Sequence, residues 1–128
     1  MSRLQDFLAL PKTSEITEEI YVNERIGTLT IKPMTEQQFN NYRQRAKRGK
    51  KESEIDLGRF QMLIITGQVI DPNFSDADFL AKAGCSGASD FIAERFLAGE
   101  VADVSNKIIK ASGFDNDINA DLEEIKNS

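Results

Sequence analysis

Histidine and tryptophan are missing from this 128-residue chain, and cysteine occurs once, at Cys85. Without histidine there is no Ser-His-Asp triad, no Cys-His dyad and no Cys/His zinc site, because each needs an imidazole or several thiolates. A lone thiol cannot close an internal disulfide, which agrees with a reducing compartment. In the loop "AGCSGAS", Cys85 reads as a small, half-buried residue and not as a nucleophile. Long apolar runs are also missing: nothing approaches the ~18 residues that a membrane-spanning helix needs. The opening "MSRLQDFLALPK" carries an acid and a proline within a short apolar run, so no signal peptide is expected there. Positive charge is in deficit. A net charge of -5 and a pI near 4.8 argue against general affinity for nucleic acid, which rests on clustered Lys and Arg.

What is present suits one small domain over residues 1–128, since 40% hydrophobic residues with eight Phe can fill a modest core. The pattern predicts a mainly α fold of about five or six helices with an N-terminal β-hairpin. Its parts are a short amphipathic segment over 1–12, a hairpin over 14–32, a helical core over 35–113 and an acidic segment over 114–128. In the first, Leu4, Phe7 and Leu8 fall at helical spacing before Pro11 stops the helix. A helix this short is marginal alone and must dock on its own domain or on a partner. Ile16, Ile20 and Val22, then Leu29 and Ile31, alternate with polar residues as strands do. The link "NER" is short enough for a hairpin, with Asn23 suited to a positive φ. An isolated hairpin needs further packing or edge pairing.

Thr35 and Gln38 form a capping-box pair that opens a helix with the apolar stripe Phe39, Tyr42 and Ala46. That helix runs into Arg43, Arg45, Lys47, Arg48, Lys50 and Lys51, cations that suit a helix C-terminus and carry no interleaved aromatic for base stacking. Residues 56 to about 70 read as a central buried helix through Leu57, Phe60, Leu63 and Ile64. Pro72 breaks it, a Ser75-x-x-Asp78 signal opens a short helix with Phe79 and Leu80, and Ser86 or Ser89 opens another with Phe91, Ile92 and Phe96. The last well-marked helix places Val101, Val104, Ile108 and Ala111 on one face. Glu100 sits at its positive end, and Gly113 followed by Phe114 marks its stop. Beyond it, Ile118, Leu122 and Ile125 share a face among acids, as a frayed surface helix or as a segment that folds onto a partner.

No chemistry-bearing constellation emerges. Asp71, Asp76 and Asp78 lack the glycine and late glutamate of a calcium loop. "GCSGAS" lacks the Lys of a nucleotide loop and follows no strand. By elimination the chain is a binding module, with no enzyme activity, cofactor or metal expected.

The segments "TIKPMTEQQFNNYRQRA", "DPNFSDADFLAKAG" and above all "FLAGEVADVSNKIIKASGF" with its acidic sequel resemble the XkdN-like tail assembly chaperones of tailed bacteriophages. The resemblance spans about Thr30 to Lys126. Its most specific piece is Leu97-Ala98-Gly99-Glu100 entering a helix that ends Ser112-Gly113-Phe114, with Ala98 where the family often has Pro. It implies a non-enzymatic protein that coats the tape measure protein until the tail tube polymerises around it. The implied location is the cytoplasm of the infected or lysogenic host, with the protein absent from the mature virion. It also implies a longer product, made by a minus-one frameshift, that recruits tail tube protein; Ile125-Lys126-Asn127 can be encoded as the slippery heptamer this requires. Leu4, Phe7, Leu8, Ile118, Leu122 and Ile125 are the expected partner contacts, because both termini are amphipathic and weakly anchored. A competing reading is a small helix-turn-helix DNA-binding regulator using Phe91 to Leu97 and Val101 to Ala111. The net acidity opposes it.

Overall fold

The computed structural model describes residues 3–47 and 55–114, which form six α-helices and a three-stranded antiparallel sheet. In chain order these are α1 (Arg3–Leu8), β1 (Glu18–Asn23), β2 (Gly27–Ile31), α2 (Glu36–Arg45), α3 (Leu57–Gln68), β3 (Val69–Asp71), α4 (Ala77–Ala83), α5 (Ala88–Arg95) and α6 (Ala98–Ala111). The mainly α class with an N-terminal hairpin is therefore the observed one. The expected C-terminal helix lies outside the described residues.

Local signals act where the sequence places them. The Thr35 hydroxyl accepts the Gln38 N–H at 3.1 Å while Gln38 Oε1 accepts the Thr35 N–H at 3.0 Å, a reciprocal cap that satisfies two donors a helix start leaves open. At the end of α6, Gly113 takes φ 101°, the Gly113 N–H donates to Lys110 and the Phe114 N–H donates to Ile109. This is a Schellman stop, and it turns Phe114 back onto Phe39 with ring centroids 4.9 Å apart.

Four details differ from the sequence reading. Strand β1 starts at Glu18, so Ile16, expected in the hairpin, lies outside it at the end of a 3-10 turn over Thr13–Glu15. The central helix ends at Gln68 instead of near Ile70, and Val69–Asp71 pairs with β2, Ile31 opposite Val69 and Thr30 opposite Asp71. The β-branched pair Val69-Ile70 favours extended backbone, and a residue before proline, here Asp71, is kept out of the α region. In the hairpin turn the positive φ, 82°, falls on Gly27, and Asn23 instead accepts the Ile26 N–H through its side chain at 2.8 Å. The cap of α4 is Asp76, which accepts the Phe79 N–H at 2.9 Å, and α5 starts from Gly87 with neither Ser86 nor Ser89 capping it.

One apolar core joins the sheet to the helices. Leu29 and Ile31 from β2, Phe60, Ile64 and Ile65 from α3, Ile92 from α5 and Val104, Ile108 and Ile109 from α6 are essentially inaccessible. Helix α3 is the hub, lying against α2, α5 and α6. A second aromatic group, Phe74, Phe79, Phe91 and Phe96, binds α4 to α5, with Phe79 edge-on to Phe91 at 4.7 Å.

Candidate partner-binding surface

The expected contact residues of the N-terminus stand together in water. On α1, Leu4, Phe7 and Leu8 are 76%, 55% and 85% exposed, and Leu10 just beyond is also exposed. They occupy positions i, i+3 and i+4, so they form one stripe. Nothing in α1 is buried, which settles the choice left open by the sequence: this helix does not dock on its own core. Arg3 flanks the stripe, pairing with Asp6 at 3.4 Å and lying 5.1 Å from the Phe7 ring centroid. That exposed ion pair contributes little to stability. Burial of each large apolar side chain in the stripe by a partner would release about 1.5–3 kcal/mol. Ile118, Leu122 and Ile125, the expected contacts of the C-terminus, lie outside the described residues.

Elsewhere a polar junction that sequence reasoning missed ties the hairpin to the helices. Glu100, 5% exposed at the first turn of α6, receives Arg25 Nη2 at 2.6 Å and Arg25 Nε at 3.1 Å. It also receives Asn23 Nδ2 at 2.9 Å and the Leu97 N–H at 2.7 Å. Arg25 further donates to the Arg95 carbonyl, so one guanidinium ties the hairpin turn to both α5 and α6. The Arg25 fork, then the Leu97 N–H, then Asn23 hold the Glu100 carboxyl down at about 2 from its usual 4.5. A carboxylate whose pKa is depressed on folding adds stability above its unfolded value and loses it as pH falls through the folded value. Glu100→Gln is therefore expected to be less stable than the wild type at pH 7, with the gap closing between about pH 4.5 and about pH 2. Urea unfolding of both proteins across that range measures it; a pH-independent gap would contradict the assignment.

A second missed feature is Gln68, 1% exposed, which accepts the Tyr42 hydroxyl at 2.6 Å and donates to the Lys32 carbonyl at 2.7 Å. Its signal was available: Phe60, Ile64 and Gln68 are i, i+4 and i+8, so a glutamine sits on the buried stripe.

Reactive chemistry is scarce in this geometry. Desolvation, then the neighbouring Glu94, raises the Cys85 thiol, which keeps it protonated. Among the described residues no group of three His, Cys, Asp or Glu could hold a metal, and no helix is long and apolar enough to cross a membrane. The helix pair required by a DNA-binding reading exists as α5 and α6. Yet α6 packs into the core through Val104, Ser105, Ile108 and Ile109, and its Lys107 is held by Asp103 at 2.9 Å and the Tyr21 carbonyl at 2.6 Å.

A small helical domain with a closed core and an exposed amphipathic helix at one end has the form of a protein-binding module. The chain belongs to the phage XkdN-like tail assembly chaperone proteins, whose family pattern matches residues 4–126. No curated protein and no solved structure matches it. The protein is thus a phage tail assembly chaperone, and the family extent takes in both α1 and the acidic C-terminal segment.

Proposed function

We propose that this chaperone binds the tape measure protein and keeps it soluble until the tail tube polymerises around it, with Leu4, Phe7 and Leu8 as one contact and Ile118, Leu122 and Ile125 as the other. The observation that carries the reading is α1: an amphipathic helix whose apolar stripe faces water beside a core complete without it. A long helical client offers apolar surface to such a stripe, and a helix laid into a groove or against another helix is a recurring mode of recognition. The role is non-enzymatic and needs no cofactor. It places the protein in the cytoplasm of the infected or lysogenic host and leaves it out of the mature virion. A longer frameshifted product would bring in tail tube protein; an Ile125 codon other than ATA, or AAG at Lys126, would exclude that site.

Co-expression with a tape measure fragment tests the contact. The wild type is expected to hold the fragment in the soluble fraction, and the triple variant Leu4→Ser, Phe7→Ser, Leu8→Ser is expected to lose most of it while keeping the wild-type circular dichroism. Equal solubility with the variant, or with a folded protein cut to residues 13–114, would contradict the assignment of the termini.

A further inference from the structure

The three-stranded sheet buries one face and leaves the other to solvent. Ile20, Leu29 and Ile31 are core residues, so those that alternate with them, Glu19 and Tyr21 on β1 and Thr28 and Thr30 on β2, lie on the opposite face. The register arranges that face in rows. Glu19 stands opposite Thr30 and Thr30 opposite Asp71, an acid, a threonine and an acid across the three strands, while Tyr21 stands opposite Thr28 in the next row. At about 4.8 Å per strand the two acids leave backbones about 10 Å apart, and Tyr21 is about 7 Å along β1 from Glu19.

Two observations single this face out. Glu19 and Asp71 are exposed, and neither is in an ion pair among the described residues. Lys107, which comes up to β1 from α6, is already held by Asp103 at 2.9 Å and by the Tyr21 carbonyl at 2.6 Å. Outside the N-terminal segment, the large apolar side chains exposed among the described residues are Tyr21, Ile70 and Leu97, and the sheet carries two of these. Tyr21 is 57% exposed, and Ile70, at the irregularity of β3 beside Asp71, is 38% exposed.

We infer that this face docks a basic segment of a partner protein, setting a Lys or Arg above Thr30 between Glu19 and Asp71, with its charge against the Tyr21 ring. The chemistry is complementary at each point. Two open carboxylates attract a cation, an aromatic face within about 6 Å adds a cation–π contact, and the apolar stem of a long basic side chain covers Ile70. Sign decides among occupants. A second copy of this chain carries the same net charge of -5, and nucleic acid or an anionic lipid surface would set phosphates against the two acids. The face belongs to other elements than α1, so the inference does not depend on what α1 binds.

Titration of the isotope-labelled full chain with a short peptide of alternating arginine and valine, followed by amide NMR shifts, tests this. The largest shifts are expected at Glu19, Tyr21, Thr28, Thr30 and Asp71, and a peptide of alternating glutamate and valine should produce none there. Glu19→Gln with Asp71→Asn should weaken binding of the arginine peptide about fivefold, and Tyr21→Ser about threefold. Glu36→Gln with Asp78→Asn removes the same charge from exposed positions on α2 and α4 and should leave the affinity within about twofold. Unmoved amides of Phe60 and Ile108 report that each variant keeps its core. Equal loss in the two charge variants, full binding by Tyr21→Ser, or shifts centred on another surface would overturn the inference.

Discussion

Phe60→Ala is expected to destabilise the protein by about 3–5 kcal/mol, the largest effect of any single substitution considered. Phe60 is fully buried in α3, the helix that α2, α5 and α6 all touch, and its ring meets Phe39 edge-on at 5.7 Å. Truncation removes the transfer free energy of the ring and leaves a cavity that three helices cannot close without moving. It also breaks an aromatic pair worth about 0.5–1.5 kcal/mol beyond its area. Because Phe39 is in turn the seat of Phe114, the loss should propagate to the stop of α6. Urea unfolding measures it, with Phe60→Leu as the control that keeps most of the volume. A Phe60→Ala cost below about 1.5 kcal/mol would mean that α3 is not the hub of the core.

Gly67→Ala should cost about 2–4 kcal/mol even though alanine is the better helix former by about 1 kcal/mol. A Cβ on Gly67 would stand 2.8 Å from Tyr42 Cζ and closer still to the hydroxyl. The tyrosine cannot simply swing aside, since its hydroxyl bonds buried Gln68, whose amide nitrogen holds the Lys32 carbonyl where β2 leads into α2. Displacing the ring overpacks the α2–α3 contact and strands the Gln68 oxygen away from water. The mechanism has a signature that simple helix disruption lacks. In a double-mutant cycle with Tyr42→Leu, which removes both Cζ and the hydroxyl, the cost of Gly67→Ala should largely vanish. An unchanged cost in the Tyr42→Leu background would place the strain elsewhere.

The features legible in the sequence are those decided within a few residues. The Thr35/Gln38 capping box and the Gly113-Phe114 stop of α6 rest on neighbours in the chain and formed where expected, whereas the stripes were legible in part: Phe60, Ile64, Val104 and Ile108 are buried, Leu57, Leu63, Val101 and Ala111 are half-buried, and Ile65 and Ile109 join the core beside them. The α4 cap slipped by one residue, because Ser75 and Asp76 both suit an N-cap and only packing around Phe79 chooses between them. Pairings across the fold were not legible. Arg25 and Glu100 are 75 residues apart, and Val69–Asp71, locally biased to extended backbone, is a strand by its pairing with the edge of β2. Of the candidate site, the spacing of Leu4, Phe7 and Leu8 marked the stripe. That the stripe faces water, and not the core, depends on how the rest of the chain fills that core, which periodicity does not reveal.

Hydrogen exchange of the full chain with and without a soluble tape measure fragment tests the central claim most directly, because it reads where a client touches the protein. The account predicts slowed exchange in α1 and in residues 115–128, with the core amides of α3 and α6 unchanged. Protection confined to other surfaces, or no protection at either terminus at a fragment concentration that forms the complex, would contradict it.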